Sequence, residues 1–216
     1  MAAVSTFTWL DHREDDANRM REAIAAFDQP GTLDPLGFGV VRDVFSELLF
    51  PGISTVQTRT RYFLLVPWAY KRLEQERTNP ANAMKRVREI ESEQITALMA
   101  GSDDRTGVIG RYTGAATVQM PSFIYWGGLE TFGIRRHNGT RAEIAMAARD
   151  RARMQRPDPW HPGLPATPDE VWESTSLDLT PDESAFLTDR ILATVPDTYL
   201  AHLVRTARLD DTGDDA

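Results

Sequence analysis

The chain has no cysteine, only 4 histidines, and 2 lysines against 22 arginines in 216 residues. Without cysteine there is no disulfide framework, thiol nucleophile or zinc ribbon. The histidines, His12, His137, His161 and His202, fall in four different elements, and none has a second histidine or a carboxylate at a strong metal-ligand spacing. Neither a metal site nor a cofactor is expected. No Walker loop, dinucleotide fingerprint or nucleophile elbow occurs, and Gly37-Phe38-Gly39 and Gly107-Val108-Ile109-Gly110 are too short to cradle a phosphate. Long apolar runs are missing too. The most apolar stretch, Tyr62 to Tyr70, has about half the length of a bilayer-spanning helix and carries Pro67. The first ten residues lack the basic region and apolar run of a secretory signal, so the expected location is cytoplasmic, with no membrane contact.

What is present reads as a globular protein, with 41% hydrophobic and 26% charged residues. The net charge of −8 is unevenly spread. Residues 1–50 carry 4 basic and 9 acidic groups, residues 161–216 carry 3 and 12, and residues 51–160 carry 17 and 11. A basic middle between acidic ends suits either a phosphate-binding face or ends that pack against the middle. Arginine favours bidentate recognition of phosphate, although a GC-rich coding sequence produces the same bias.

The periodicities predict a mainly α, irregular multi-helix single domain with a Gly-rich central region and at most a small strand element. Met20, Ile24 and Phe27 mark an amphipathic helix over residues 11–27, stopped by Gln29-Pro30-Gly31. A second runs from Leu36 to Phe50, with Val40, Val41, Val44, Phe45, Leu48 and Leu49 expected as a core face. Tyr62 to Tyr70 is apolar on all sides, and its continuation to Glu76 favours helix over strand. After Asn79-Pro80, the residues Met84, Val87, Glu91, Gln94, Ile95 and Leu98 trace a stripe that is apolar except in its middle, ending at Gly101. A short apolar element enters through Pro121, and Thr140 can cap a helix over residues 141–155 whose end is basic. Thr180-Pro181-Asp182-Glu183 is a capping box, and a last helix follows Pro196. The expected layout is a helical core domain over 1–155 with the basic middle, a Pro-rich connector over 156–179, a C-terminal helical pair packed on the core over 180–209, and an acidic tail over 210–216.

Candidate chemistry falls in three places. Gln57, Arg59 and Arg61 alternate just before the apolar segment that begins at Tyr62, so an extended backbone would direct all three to one face. Such a face suits a phosphate or carboxylate; equally, these arginines could pair with acidic groups inside the protein. Arg111, Tyr125, Trp126, Arg135 and Arg136 mix cations with aromatics, a composition that fits base stacking as well as core packing. Asp43 and Glu47, four apart on the second helix, are the weak catalytic candidates.

Trp9-Leu10-Asp11, Leu49-Phe50-Pro51-Gly52 leading into Gln57-Thr58-Arg59, Ser122 followed by Ile124-Tyr125-Trp126, and Leu179 to Glu183 together resemble a bacterial family, the domain of unknown function numbered 6361. The resemblance spans nearly the whole chain. It implies no particular reaction. The family's gene neighbourhood, beside helicases and other anti-phage defence genes, implies nucleic-acid-linked work, and its longer members imply that this copy is short.

Three readings follow. The first is a non-catalytic accessory or binding component of a defence-type system, contacting nucleic acid or a partner enzyme through an arginine-rich face. The second is a divalent-metal-dependent phosphodiesterase or nuclease using Asp43, Glu47 and Gln57. The third is a structural subunit whose arginines are internal ties. Partner identity and oligomeric state are left open by the sequence.

Overall fold

The computed structural model describes residues 38–151 and 154–211, and the helix expected over 11–27 lies outside them. Among the described residues there are seven α-helices: α1 (Phe38–Leu49), α2 (Tyr62–Glu76), α3 (Ala83–Gly101), α4 (Pro121–Thr131), α5 (Arg141–Ala147), α6 (Pro181–Thr194) and α7 (Tyr199–Asp211). Strand structure among them is limited to one isolated antiparallel bridge between Arg135 and Trp160. The fold is mainly α. The chain divides into two compact units, residues 1–45 and 46–216.

α1 forms where its periodicity places it, but the face expected as core is exposed, from Val40 and Val41 through Val44, Phe45, Leu48 and Leu49. An apolar stripe specifies that a helix is amphipathic without specifying what covers it.

Within residues 46–216 the core is built on α2. Leu64, Leu65 and Trp68 are fully buried, and Tyr62 and Tyr70 nearly so. Pro67 sits inside this helix and removes one backbone donor. Gln94 of α3 donates to the Leu65 carbonyl at 2.9 Å in the same region, which explains one of the two polar breaks in the α3 stripe. The other break is Glu91. Its carboxylate accepts from the Ser122 backbone N–H at 2.6 Å and from the Ser122 hydroxyl at 3.1 Å. Ser122 follows Pro121 at the start of α4, so Glu91 satisfies an orphan donor there and meets the positive end of the helix.

Thr140 and Thr180 each form a complete capping box, with Glu143 and Glu183. α5 is shorter than its sequence suggests, passing at Ala148 into a single 3-10 turn that ends at Asp150. Residues 156–179 lie against the core: Trp160, Leu164 and Val171 are buried, and Trp68 donates its indole N–H to the Pro165 carbonyl at 2.9 Å. Tyr70, Trp126 and Trp160 pack edge-to-face or tilted, with centroids 5.3 to 6.1 Å apart.

Candidate nucleic-acid interface

The alternation of Gln57, Arg59 and Arg61 does not survive as one face. Instead of running extended, the backbone turns: Gln57 N–H bonds the Ser54 carbonyl, and Arg61 already has helical dihedrals as the cap of α2. Gln57 folds back on its own turn, donating to the Gly52 carbonyl at 3.2 Å and accepting from the Ser54 N–H at 3.4 Å. Arg61 points inward. Its guanidinium bonds the Glu183 carboxylate at 2.9 Å, the Thr175 hydroxyl and the Ser176 carbonyl, and the side chains of Arg61 and Glu183 are only 7% and 4% exposed. Arg59 points outward, its stem against Gly107, where an added Cβ would come within 3.0 Å of Arg59 Cγ.

Tyr62 and Tyr125 are buried, and their hydroxyls clamp two loops together. Tyr125 accepts from the Thr58 and Arg59 N–H groups and donates to the Arg59 carbonyl, while Tyr62 accepts from Ile109 N–H at 2.9 Å. Burial pushes both phenols above their ordinary pKa, Tyr62 strongly. Trp126 donates to the Gly139 carbonyl and lies under the Arg135 guanidinium. All three aromatics have hydrogen-bond partners inside the protein. Asp43 pairs with its neighbour Arg42 at 2.8 Å on the exposed α1, and Glu47 is exposed on the same helix. No group of three or more histidines and carboxylates placed to hold a metal occurs among the described residues.

Arg135 and Arg136 are adjacent in sequence and opposite in placement. Arg135 is buried, paired with Glu130, and donates to the His137 carbonyl at 2.6 Å, fixing the turn over residues 136–139. Arg136 projects from that turn into solvent, its backbone N–H held by the Pro159 carbonyl at 2.7 Å. Arg151 repeats the role of Arg135. It is buried, bonds Glu74 at 3.1 Å and the Pro157 carbonyl at 3.2 Å, and so anchors the start of the 156–179 segment to α2. Its neighbours Arg149 and Arg156 are exposed.

Arg77, Arg136, Arg149 and Arg156, together with Lys71, make no side-chain hydrogen bond or ion pair among the described residues. All five line three hollows, the first meeting the third at Asp158 and the second meeting the third at His137, Asn138 and Pro157. The largest, about 870 Å³, lies between the C-terminal half of α2 and the 148–150 turn, with Lys71, Arg77 and Arg149 on its walls. The others, about 360 and 460 Å³, bring in Arg156 and Arg136. The acidic groups of the groove are mostly occupied. Glu74 holds Arg151, Glu143 caps α5, and Asp158 accepts from Trp160 N–H at 3.0 Å, which leaves Asp150. The result is a row of adjoining hollows bordered by cations that have no side-chain hydrogen bond or ion pair among the described residues.

Of the residues singled out in sequence, the groove contains Arg136. Arg59 and Arg111 lie together elsewhere, both beside Asp104. Lys71, Arg77, Arg149 and Arg156 carry no local sequence mark. The basic end of the α5 segment was visible, but a helix C-terminus attracts cations by its dipole alone.

No helix among the described residues is long and apolar enough to cross a membrane. Neither the curated proteins nor the solved structures contain a match to this chain. A family model matches residues 4–214, and the chain therefore belongs to the family of unknown function DUF6361.

Proposed function

We propose that the chain is a non-catalytic binding component that contacts the phosphate backbone of nucleic acid through the groove ringed by Lys71, Arg77, Arg136, Arg149 and Arg156. One observation carries the reading: the buried arginines Arg61, Arg135 and Arg151 are each matched to a carboxylate, while five cations without a side-chain hydrogen bond or ion pair among the described residues, Lys71, Arg77, Arg136, Arg149 and Arg156, line adjoining hollows. Arginine forks left unpaired in a concave site match phosphate oxygens in geometry and charge. A protein partner would call for aromatic or aliphatic anchors, and the apolar lining of the groove amounts to Ile144, Ala147, Ala148 and Pro157. An accessory role in a defence-type system, the context implied by the family resemblance, forms part of the same proposal.

The test is binding of labelled single- and double-stranded DNA and RNA by wild type, by Arg77→Ala/Arg149→Ala/Arg156→Ala, and by Glu47→Gln. The expected result is a loss of at least about tenfold in the folded triple variant at moderate salt, with Glu47→Gln unchanged. Wild-type protein that binds none of these at low salt would refute the reading.

A further inference from the structure

Tyr112 stands apart from the other tyrosines. Tyr62 and Tyr70 are buried, as is Tyr125, and Tyr199 packs against Phe50 with ring centroids 5.7 Å apart, whereas Tyr112 is 85% exposed. The exposure belongs to a tightly held loop. Arg111 N–H bonds the Val108 carbonyl, Thr113 and Gly114 N–H both bond the Gly110 carbonyl, and the Thr113 and Thr117 hydroxyls meet at 2.6 Å. Gly110 adopts a φ of +82°, and a Cβ there would fall 2.5 Å from Thr117 Oγ1, so only glycine closes this turn. The Tyr62 hydroxyl ties the same loop to the core at Ile109.

One cation contacts the ring, and two more belong to the neighbouring stretches of chain at residues 59 and 105. The Arg111 guanidinium lies 4.4 Å from the Tyr112 centroid. Arg59 approaches from the clamped 58–59 strand of chain and reaches Asp104 at 3.6 Å. Arg105 is exposed with no side-chain partner among the described residues. The Asp104 carboxylate is itself turned into its own loop by the Thr106 hydroxyl and N–H, which hold its pKa below the ordinary value, with Arg59 and Arg111 adding to the effect. A large exposed aromatic ring on a hydrogen-bonded loop, with one guanidinium against it and Arg59 beside the same Asp104 as Arg111, offers a π-face to a base and charge to the flanking phosphates.

We infer that Tyr112, backed by Arg111, is a stacking platform for an unpaired nucleobase, so that the nucleic acid bound by this protein is single-stranded. The inference rests on the proposed nucleic-acid reading and adds a strand preference that the groove, which has no aromatic lining, does not supply. A duplex keeps its bases stacked on one another and has none to offer the ring.

The deciding experiment measures fluorescence anisotropy with three probes: a labelled mixed-sequence DNA strand, a strand of the same length built from abasic residues, and the corresponding duplex. Wild type is compared with Tyr112→Ala, Tyr112→Phe and the triple groove variant, with folding of each confirmed by thermal melting. Tyr112→Ala is expected to weaken binding of the base-bearing strand by about 5- to 150-fold, to leave the abasic strand and the duplex unchanged, and to be rescued by Tyr112→Phe. Equal binding by Tyr112→Ala and wild type, or an equal loss on the abasic strand, would overturn the stacking inference alone while the groove variant still reports on the groove. A wild-type protein without affinity for any probe would overturn both.

Discussion

Arg61 and Arg149 carry the same side chain, and the difference in their surroundings separates the part of the protein that holds the fold from the part available to a ligand. Arg61 is enclosed, with Glu183, Thr175 and Ser176 around its guanidinium and the Trp68 ring 5.9 Å away. Arg149 projects from a short turn over a large hollow with no partner among the described residues. A buried cation persists only when matched, because leaving it unpaired in the interior costs several kcal/mol. An exposed cation has no such requirement, so its lack of a partner is a place for one. The same division recurs within residues 135–136 and within residues 149–156, where a buried arginine fixes the backbone from which a free one projects.

The largest expected effect breaks the interior side of this comparison. Arg61→Ala should destabilise the protein by about 3–5 kcal/mol, since it leaves the Glu183 carboxylate buried without its cation. Denaturant unfolding measures it directly. A loss below about 1 kcal/mol would mean that Glu183 finds water or another donor, and that the tie is weaker than its geometry indicates.

Glu91 sharpens the comparison with the opposite charge. Burial pushes its carboxyl up to about 7, and the hydrogen bonds from Ser122, with the more distant Arg141 and Arg88, only partly offset this. Its folded value therefore lies above its ordinary 4.5, and the folded state holds the proton more tightly than the unfolded state. Stability linked to Glu91 is then full below about 4.5, declines as pH rises towards 7, and is level above that. Glu91→Gln keeps an acceptor for Ser122 N–H without the buried charge. The variant should exceed wild type by up to a few kcal/mol at pH 8, with most of the difference gone at pH 5. Melting curves at the two pH values decide it, and an unchanged difference would show that Glu91 remains protonated, or remains charged, across the range.

On the exposed side the expected stability effects are small. Arg77→Ala, Arg149→Ala and Arg156→Ala should each shift stability by no more than about 0.5 kcal/mol, because each side chain makes no internal bond. Asp43→Asn should do less still, since the Arg42–Asp43 pair is 74% and 70% exposed and screened by water. A strongly destabilised groove variant would move that arginine into the structural class.

The sequence made the ties easier to anticipate than the groove. The cap at Thr140 and the capping box at Thr180 are legible in short local patterns, and the polar break in the α3 stripe falls at Glu91 and Gln94, which the structure buries with partners. The arginine run before Tyr62 reads as one face only on the assumption of extended backbone, and a turn at Ser54 to Gln57 sends Arg59 and Arg61 in opposite directions. The groove brings together Arg77, Arg136, Arg149 and Arg156 across some eighty positions of chain, and only tertiary packing sets which arginines lack carboxylates. The apolar face of α1 illustrates the converse, a clear pattern whose side chains stay exposed.

The most direct test of the division is the salt dependence of single-stranded DNA binding by wild type and by the triple variant Arg77→Ala/Arg149→Ala/Arg156→Ala. If these arginines each neutralise a phosphate, the slope of log affinity against log salt becomes shallower by about 0.7 for every contact removed, while the melting temperature stays close to wild type. A folded triple variant with the wild-type slope and affinity would contradict the account.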